Sequence, residues 1–143
     1  MGVLSDFVIA DTGQGPEIGN SEFPPHTWPT LEAKGMDPIK LATLYCSIVG
    51  KAYHNDIQAS FELVGGKKNE GPWVFEFPRE ILHAIAGVSE VHVQDIAAKW
   101  VDTGDLQMDG WAIEDAVNCI RVLSAHANKA VQSAKSMYLW ISL

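Results

Sequence analysis

Apolar positions along the chain fall into two periods. In "PWVFEF", Trp73, Phe75 and Phe77 occupy one side while Val74 and Glu76 occupy the other, the alternation of a strand. The same alternation sets Tyr138, Trp140 and Ser142 against Leu139, Ile141 and Leu143 in "MYLWISL". The apolar run "DFVIA" after residue 5 reads as a third strand. A terminal apolar strand must pair with something, and the segments 73–77 and 6–10 are its candidates.

The period of 3.6 governs most of the remainder. "MDPIKLATLYCSIVGK" has Asp37 as N-cap, Pro38 at the first helical position and Gly50 as terminator, which predicts a helix with Ile39, Ala42, Tyr45 and Val49 on its inner face. "NDIQASFELVGG" reads as a short helix ending at Gly65, with "ASFELV" open to a strand reading, and "GKKNEG" follows as a solvated turn. Pro78 starts a helix closed by Gly87. Ser89 is placed to cap another, with Val93, Ile96, Ala97 and Trp100 as its inward stripe and Gly104 as its left-handed terminator. The longest helix is predicted from about Asp109 to Ser136, with Ile113, Val117, Ile120, Ser124, Ala127 and Val131 inward. The fold expected is α+β and mainly helical, with four to five helices packed on a small, mostly antiparallel sheet of strands near 6–10, 73–77 and 138–142.

Residues 11–36 have no period and are rich in Gly and Pro. So long a segment in a chain of 143 residues, about one domain, is expected to wrap the core or to form part of a site. The composition, 47% apolar and 20% charged, is that of an ordinary globular protein. Apolar runs fall short of a bilayer span, no basic stretch precedes the first of them, and Cys46 and Cys119 lie in apolar helical patterns as free thiols. A cytoplasmic domain is therefore expected. The net charge of −8 repels phosphate backbones and excludes nucleic acid as partner, while it suits a basic protein.

Asp-Thr-Gly occurs at 11–13 and again at 102–104, the tripeptide that aspartic proteases bring to their catalytic pair. That chemistry needs each Asp on a loop leaving a strand, so that two carboxylates share a proton. Asp11 follows "FVIA" and meets the condition; Asp102 follows a helical stripe and does not. The triplets are read as a turn after a strand and a helix stop. In "DTGDLQMDGWAIED", Asp105, Asp109 and Gly110 match a calcium loop, but Gln107 and Ala116 break the template, and Asp109 reads better as the cap of the long helix with Glu114 and Asp115 in its first turn. Glu80 and His83 form one Glu-x-x-His pair where a di-iron site needs two. No catalytic residue, metal ligand or cofactor is predicted. Of five tryptophans, Trp100 and one of Trp73 or Trp140 read as core, and Trp28 and Trp111 as partly exposed.

The order of elements, with "LATLYCSIVG", "GPWVFEFPREILHAIAGVSEVHVQDIAAKW" and "YLWISL" as its main segments, resembles the YfbM-like family of uncharacterised bacterial proteins. The opening "MGVLSDF" and a shorter middle segment depart from that family. The resemblance implies an α+β fold and a cytoplasmic bacterial or phage setting, and it carries no catalytic residue.

The function expected from the sequence is a non-enzymatic protein-interaction module, immunity-like or a phage accessory, with no membrane partner and with homo-oligomerisation left open. The alternative is a small-ligand-binding protein or hydrolase with its site between the loop of the 20s and the acidic turn at 102–111. The binding residues expected on either reading are His26, Trp28, Asp105, Asp109 and Trp111.

Overall fold

The last strand is the centre of the sheet. In the computed structural model, which describes residues 4–66, 69 and 71–142, β5 (Ser136–Ser142) pairs antiparallel with β1 (Leu4–Ala10) on one side and with β4 (Trp73–Glu76) on the other. Both pairing candidates are its partners. β2 (Thr30–Leu31) extends the sheet beyond β1 and β3 (Glu62–Gly66) beyond β4, giving the order β2-β1-β5-β4-β3, antiparallel throughout. The fold is α+β.

Alternation along the strands divides the core in two. Phe7, Ile9, Phe75, Met137 and Leu139 point to one face, which α2 (Pro38–Val49), α4 (Arg79–Ala86), α5 (Val93–Val101) and α7 (Ile113–Gln132) cover. Val8, Ala10, Val74, Tyr138 and Trp140 point to the other and pack on Ile18 of α1 (Gly15–Gly19). The segment 11–28 therefore wraps the second face, through α1 and a 3₁₀ turn at Pro24–His26, and the chain then returns through β2 to the first core, where Met36 is buried. Among the described residues no helix is long and apolar enough to cross a membrane.

Helix boundaries follow the capping chemistry in part. The Asp37 carboxylate accepts from Lys40 N at 2.8 Å, and Gly50 ends α2 at φ 74°, both as expected. The buried arc is different: Ile39 and Val49 are each 41% exposed, and Leu41 and Leu44 are fully buried, because α2 is walled by α4 and α5 on different sides. Residues 55–66 hold both alternatives, α3 (Asn55–Ala59) and then β3. Lys67, Lys68 and Glu70 of the expected turn, and Leu143, lie outside the described residues.

Three further expectations are corrected. Ser89 precedes a 3₁₀ turn, Glu90–His92, and makes no side-chain cap; α5 proper begins at Val93. Gly104 is not left-handed: Thr103 is extended and Gly104 opens α6 (Gly104–Met108), so the second Asp-Thr-Gly links two helices instead of stopping one. The left-handed glycine is Gly110, at φ 70°, which turns the chain before α7 and shortens that helix to Ile113–Gln132. Its start is capped from within, Asp115 accepting from Ala112 N at 3.1 Å, and its buried stripe includes Leu123, His126 and Ala130, whereas Ile113 is 44% exposed.

α1 reaches β3 through close main-chain contact at Gly19 and Gly65, with the Val64 side chain against Gly15. A Cβ on Gly19 would lie 2.3 Å from Gly66 N, and one on Gly65 would lie 2.2 Å from Gly15 O. Main chain on both sides cannot give way. Gly19→Ala is expected to cost about 2–3 kcal/mol in urea unfolding. Gly13→Ala, at φ 93° in open space, is expected to cost only about 1 kcal/mol, and equal losses would show that the α1–β3 contact is not a constraint.

Candidate functional site

Period-2 alternation puts Asp6 on the same face as Val8 and Ala10, directly across β1 and β5 from Trp140. Its side chain is 5% exposed and Trp140 is equally buried. Between them and the wrapping segment lies a depression of about 380 Å³, lined by Leu4, Asp6, Glu22, Phe23, Glu32, Ala33, Lys34 and Trp140. The bridge between Leu4 and Lys34 holds residues 32–34 alongside β1. Glu22 and Phe23 reach in from the stretch after α1, where the Ser21 hydroxyl accepts from Phe23 N at 3.2 Å.

The electrostatics of this site are uneven. Burial pushes the Asp6 carboxyl above its ordinary 3.8; the Ala33 backbone amide opposes that rise and the charge of Glu32 adds to it. Trp140 Nε1 is buried with no hydrogen-bond partner, a state that costs about 1–3 kcal/mol. The site offers carboxylates, aromatic surface and an unused N–H donor, which is the equipment of a binding surface for a cation on an organic frame.

Of the residues expected from sequence, the structure brings two near this depression. His26 sits edge-on to Phe23, ring centroids 4.5 Å apart, and Trp28 packs on the same cluster as Trp140. The other three belong to the opposite, helical face. Trp111 packs tilted against fully buried Trp100, ring centroids 5.4 Å apart, and Asp105 lies in α6. Asp109 closes α6 and pairs its carboxylate with the Lys40 ammonium, so it does not cap the long helix. Lys40 also donates to Gly35 O at 2.5 Å, and its own carbonyl accepts from Trp100 Nε1 at 3.0 Å. A lysine cation thus holds the carboxylate that the calcium template had assigned to a metal. Among the described residues no three His, Cys, Asp or Glu side chains gather to hold a metal ion. Asp109 and Trp111 are joints between helices.

The sequence reasoning missed Asp6, Glu22, Glu32, Lys34 and Trp140 as a group. One signal was present: an acid in "SDFVIA" shares its side of the strand with Val8 and Ala10. Its register against Trp140 is a tertiary fact that no local pattern carries.

The remaining chemistry is structural. Asp11 turns the chain out of β1, its carbonyl accepting from Gln14 N at 3.2 Å and its carboxylate lying 3.9 Å from Lys135, while Asp102 accepts from Gln107 Nε2 at 3.1 Å. The two acids have separate partners on separate elements. Burial raises both thiols, Cys119 to about 11, so both are protonated and inert at neutral pH. His126 Nε2 lies 2.8 Å from the Phe7 carbonyl; a carbonyl can only accept, so the ring donates and ties α7 to β1. Burial lowers the His126 pKa from its ordinary 6.5, against the Phe7 bond and with help from Lys129.

No protein-family model, curated protein or solved structure matches the chain.

Two outcomes follow from the buried polar groups. Asp109→Ala strands a 7% exposed ammonium on Gly35 O alone, whereas Lys40→Met removes that charge and leaves Asp109, half exposed, in water. The first is expected to cost about 2 kcal/mol and the second less; the reverse order in chemical denaturation would refute the pairing. His126 is neutral in the fold while the unfolded chain takes a proton from pH 6.5 downward. Its contribution is complete above about pH 6.5 and falls by at most about 1.4 kcal/mol per pH unit below that, until the lowered folded pKa is reached. Melting curves of His126→Gln should lack this slope.

Proposed function

We propose that the chain is a non-enzymatic protein-interaction module that docks a basic segment of another protein on the sheet face opposite α2, α4, α5 and α7. The observation that carries this reading is the gathering of Asp6, Glu22 and Glu32 around Trp140 and Phe23 in one depression. Charge complementarity of this kind steers a basic partner and fixes its register. The excess of 18 acidic over 10 basic residues supports it at longer range. An immunity-like or phage accessory role, in a bacterial cytoplasm, is the setting of this proposal. Membership of the YfbM-like family belongs to it as well and adds no residue to the site.

The alternative of a ligand site or hydrolase between the loop of the 20s and the 102–111 turn draws no support from the geometry. Trp28 packs on the wrapped face and Trp111 on the helical face, and the shallow depression that Asp109 and Trp111 line is completed by Gly110, Asp115 and Asn118.

Titration of the isotope-labelled protein with basic twelve-residue peptides tests the docking reading. Backbone resonances of residues 4–8, 22–34 and 138–142 should move, and the affinity should drop as salt is raised. Shifts confined to the helical face, or binding indifferent to peptide charge, would overturn it.

A further inference from the structure

The depression over Asp6 and Trp140 combines three features that one chemical group answers together. Its lining holds three carboxylates, Asp6, Glu22 and Glu32, against the single ammonium of Lys34, a net charge of −2 when all are ionised. None of the three carboxylates forms an ion pair among the described residues. Its walls include the aromatic rings of Phe23 and Trp140. Trp140, 5% exposed, brings an indole N–H that has no acceptor.

An ammonium answers the first feature only: it is a compact, strongly hydrated charge that loses its water shell against an aromatic wall. A guanidinium is planar, weakly hydrated, stacks on aromatic faces and presents five donors to carboxylates on more than one side. Within a peptide each arginine is flanked by main-chain carbonyls, and these are the acceptors that the Trp140 N–H lacks. We propose that the depression is a receptor for an arginine side chain of the partner protein. The inference rests on the docking reading above and names the anchor. A guanidinium beside Asp6 also offsets the cost of burying that carboxylate, which is what holds its pKa up.

The test uses the full chain, labelled with nitrogen-15, and the tripeptide acetyl-Gly-Arg-Gly-amide. Its controls are the citrulline tripeptide, which is isosteric but neutral, the lysine tripeptide and guanidinium chloride. The arginine tripeptide should move the indole N–H resonance of Trp140, with the indoles of Trp73, Trp100 and Trp111 unmoved. The citrulline and lysine tripeptides should bind at least tenfold more weakly, and guanidinium chloride should leave the indole proton in place. Asp6→Asn should weaken the arginine tripeptide at least tenfold. Since Asp6 is buried, the pair Glu22→Gln and Glu32→Gln, at exposed positions, provides a variant free of any folding role and should weaken it about fivefold. Equal affinity for arginine and citrulline, equal affinity for arginine and lysine, or unchanged binding in both variants would overturn the proposal. Basic peptides that bind this face while the arginine tripeptide leaves Trp140 unmoved would remove the anchor and leave the docking reading. Tripeptide binding without any basic peptide engaging the face would remove the docking reading instead.

Discussion

Everything in this fold waits on β5. Ser136–Ser142 is the central strand of the five described, paired along its whole length with β1 and along part of it with β4, and its residues Met137 to Trp140 are buried on both sides of the sheet. Leu139 closes the helical core and Trp140 the wrapped one, so a single seven-residue strand is shared by both hydrophobic clusters. Its partner in β1 lies more than a hundred residues earlier, Leu4 against Ser142. The loop-closure entropy of such a pairing must be met before either core is complete, which places this chain among the slower, non-local folders despite its helices.

The polar interior reinforces the same joint. His126 reaches from α7 to the Phe7 carbonyl, fixing the longest helix over β1. Lys40 gathers three separate segments: its ammonium holds Gly35 and Asp109, and its carbonyl receives Trp100. The Lys40 ion pair contributes orientation more than free energy, since a buried charge returns little of its desolvation cost. These contacts decide which turn of each helix meets the sheet, a choice that apolar packing alone leaves loose.

Legibility in the sequence tracked how local the physics was. α2 could be read to the residue because Asp37, Pro38 and Gly50 are punctuation that acts within one turn. The three main strands and both partners of β5 were legible from alternation and from the demand that backbone donors be paired. The inner face of α2 was misread because four other helices lie against it from several sides, so periodicity names an arc that packing widens. Gly104 was misread because a glycine after a helix is ambiguous between ending one and opening the next. Two of the five expected site residues, His26 and Trp28, fell beside the acidic depression; the other three were drawn by a dense acidic run in which Asp109 and Trp111 hold helices together and Asp105 lies in α6.

Asp6 and Trp140 are the places where folding economy is poorest. An alanine or valine at position 6 would suit a face shared with Val8, and a phenylalanine at 140 would leave no unpaired N–H. Stability alone disfavours both residues as they stand, since one is a carboxyl held out of water and the other an indole donor left without an acceptor. The two violations are not scattered: they face each other across one strand pair and line one depression, with two more carboxylates at its rim. Independent defects have no reason to coincide, whereas a binding site requires that groups costly to bury converge. On the docking proposal their complementarity is to a partner, a cation for the carboxylates and an acceptor for the indole, and an arginine-bearing backbone carries both.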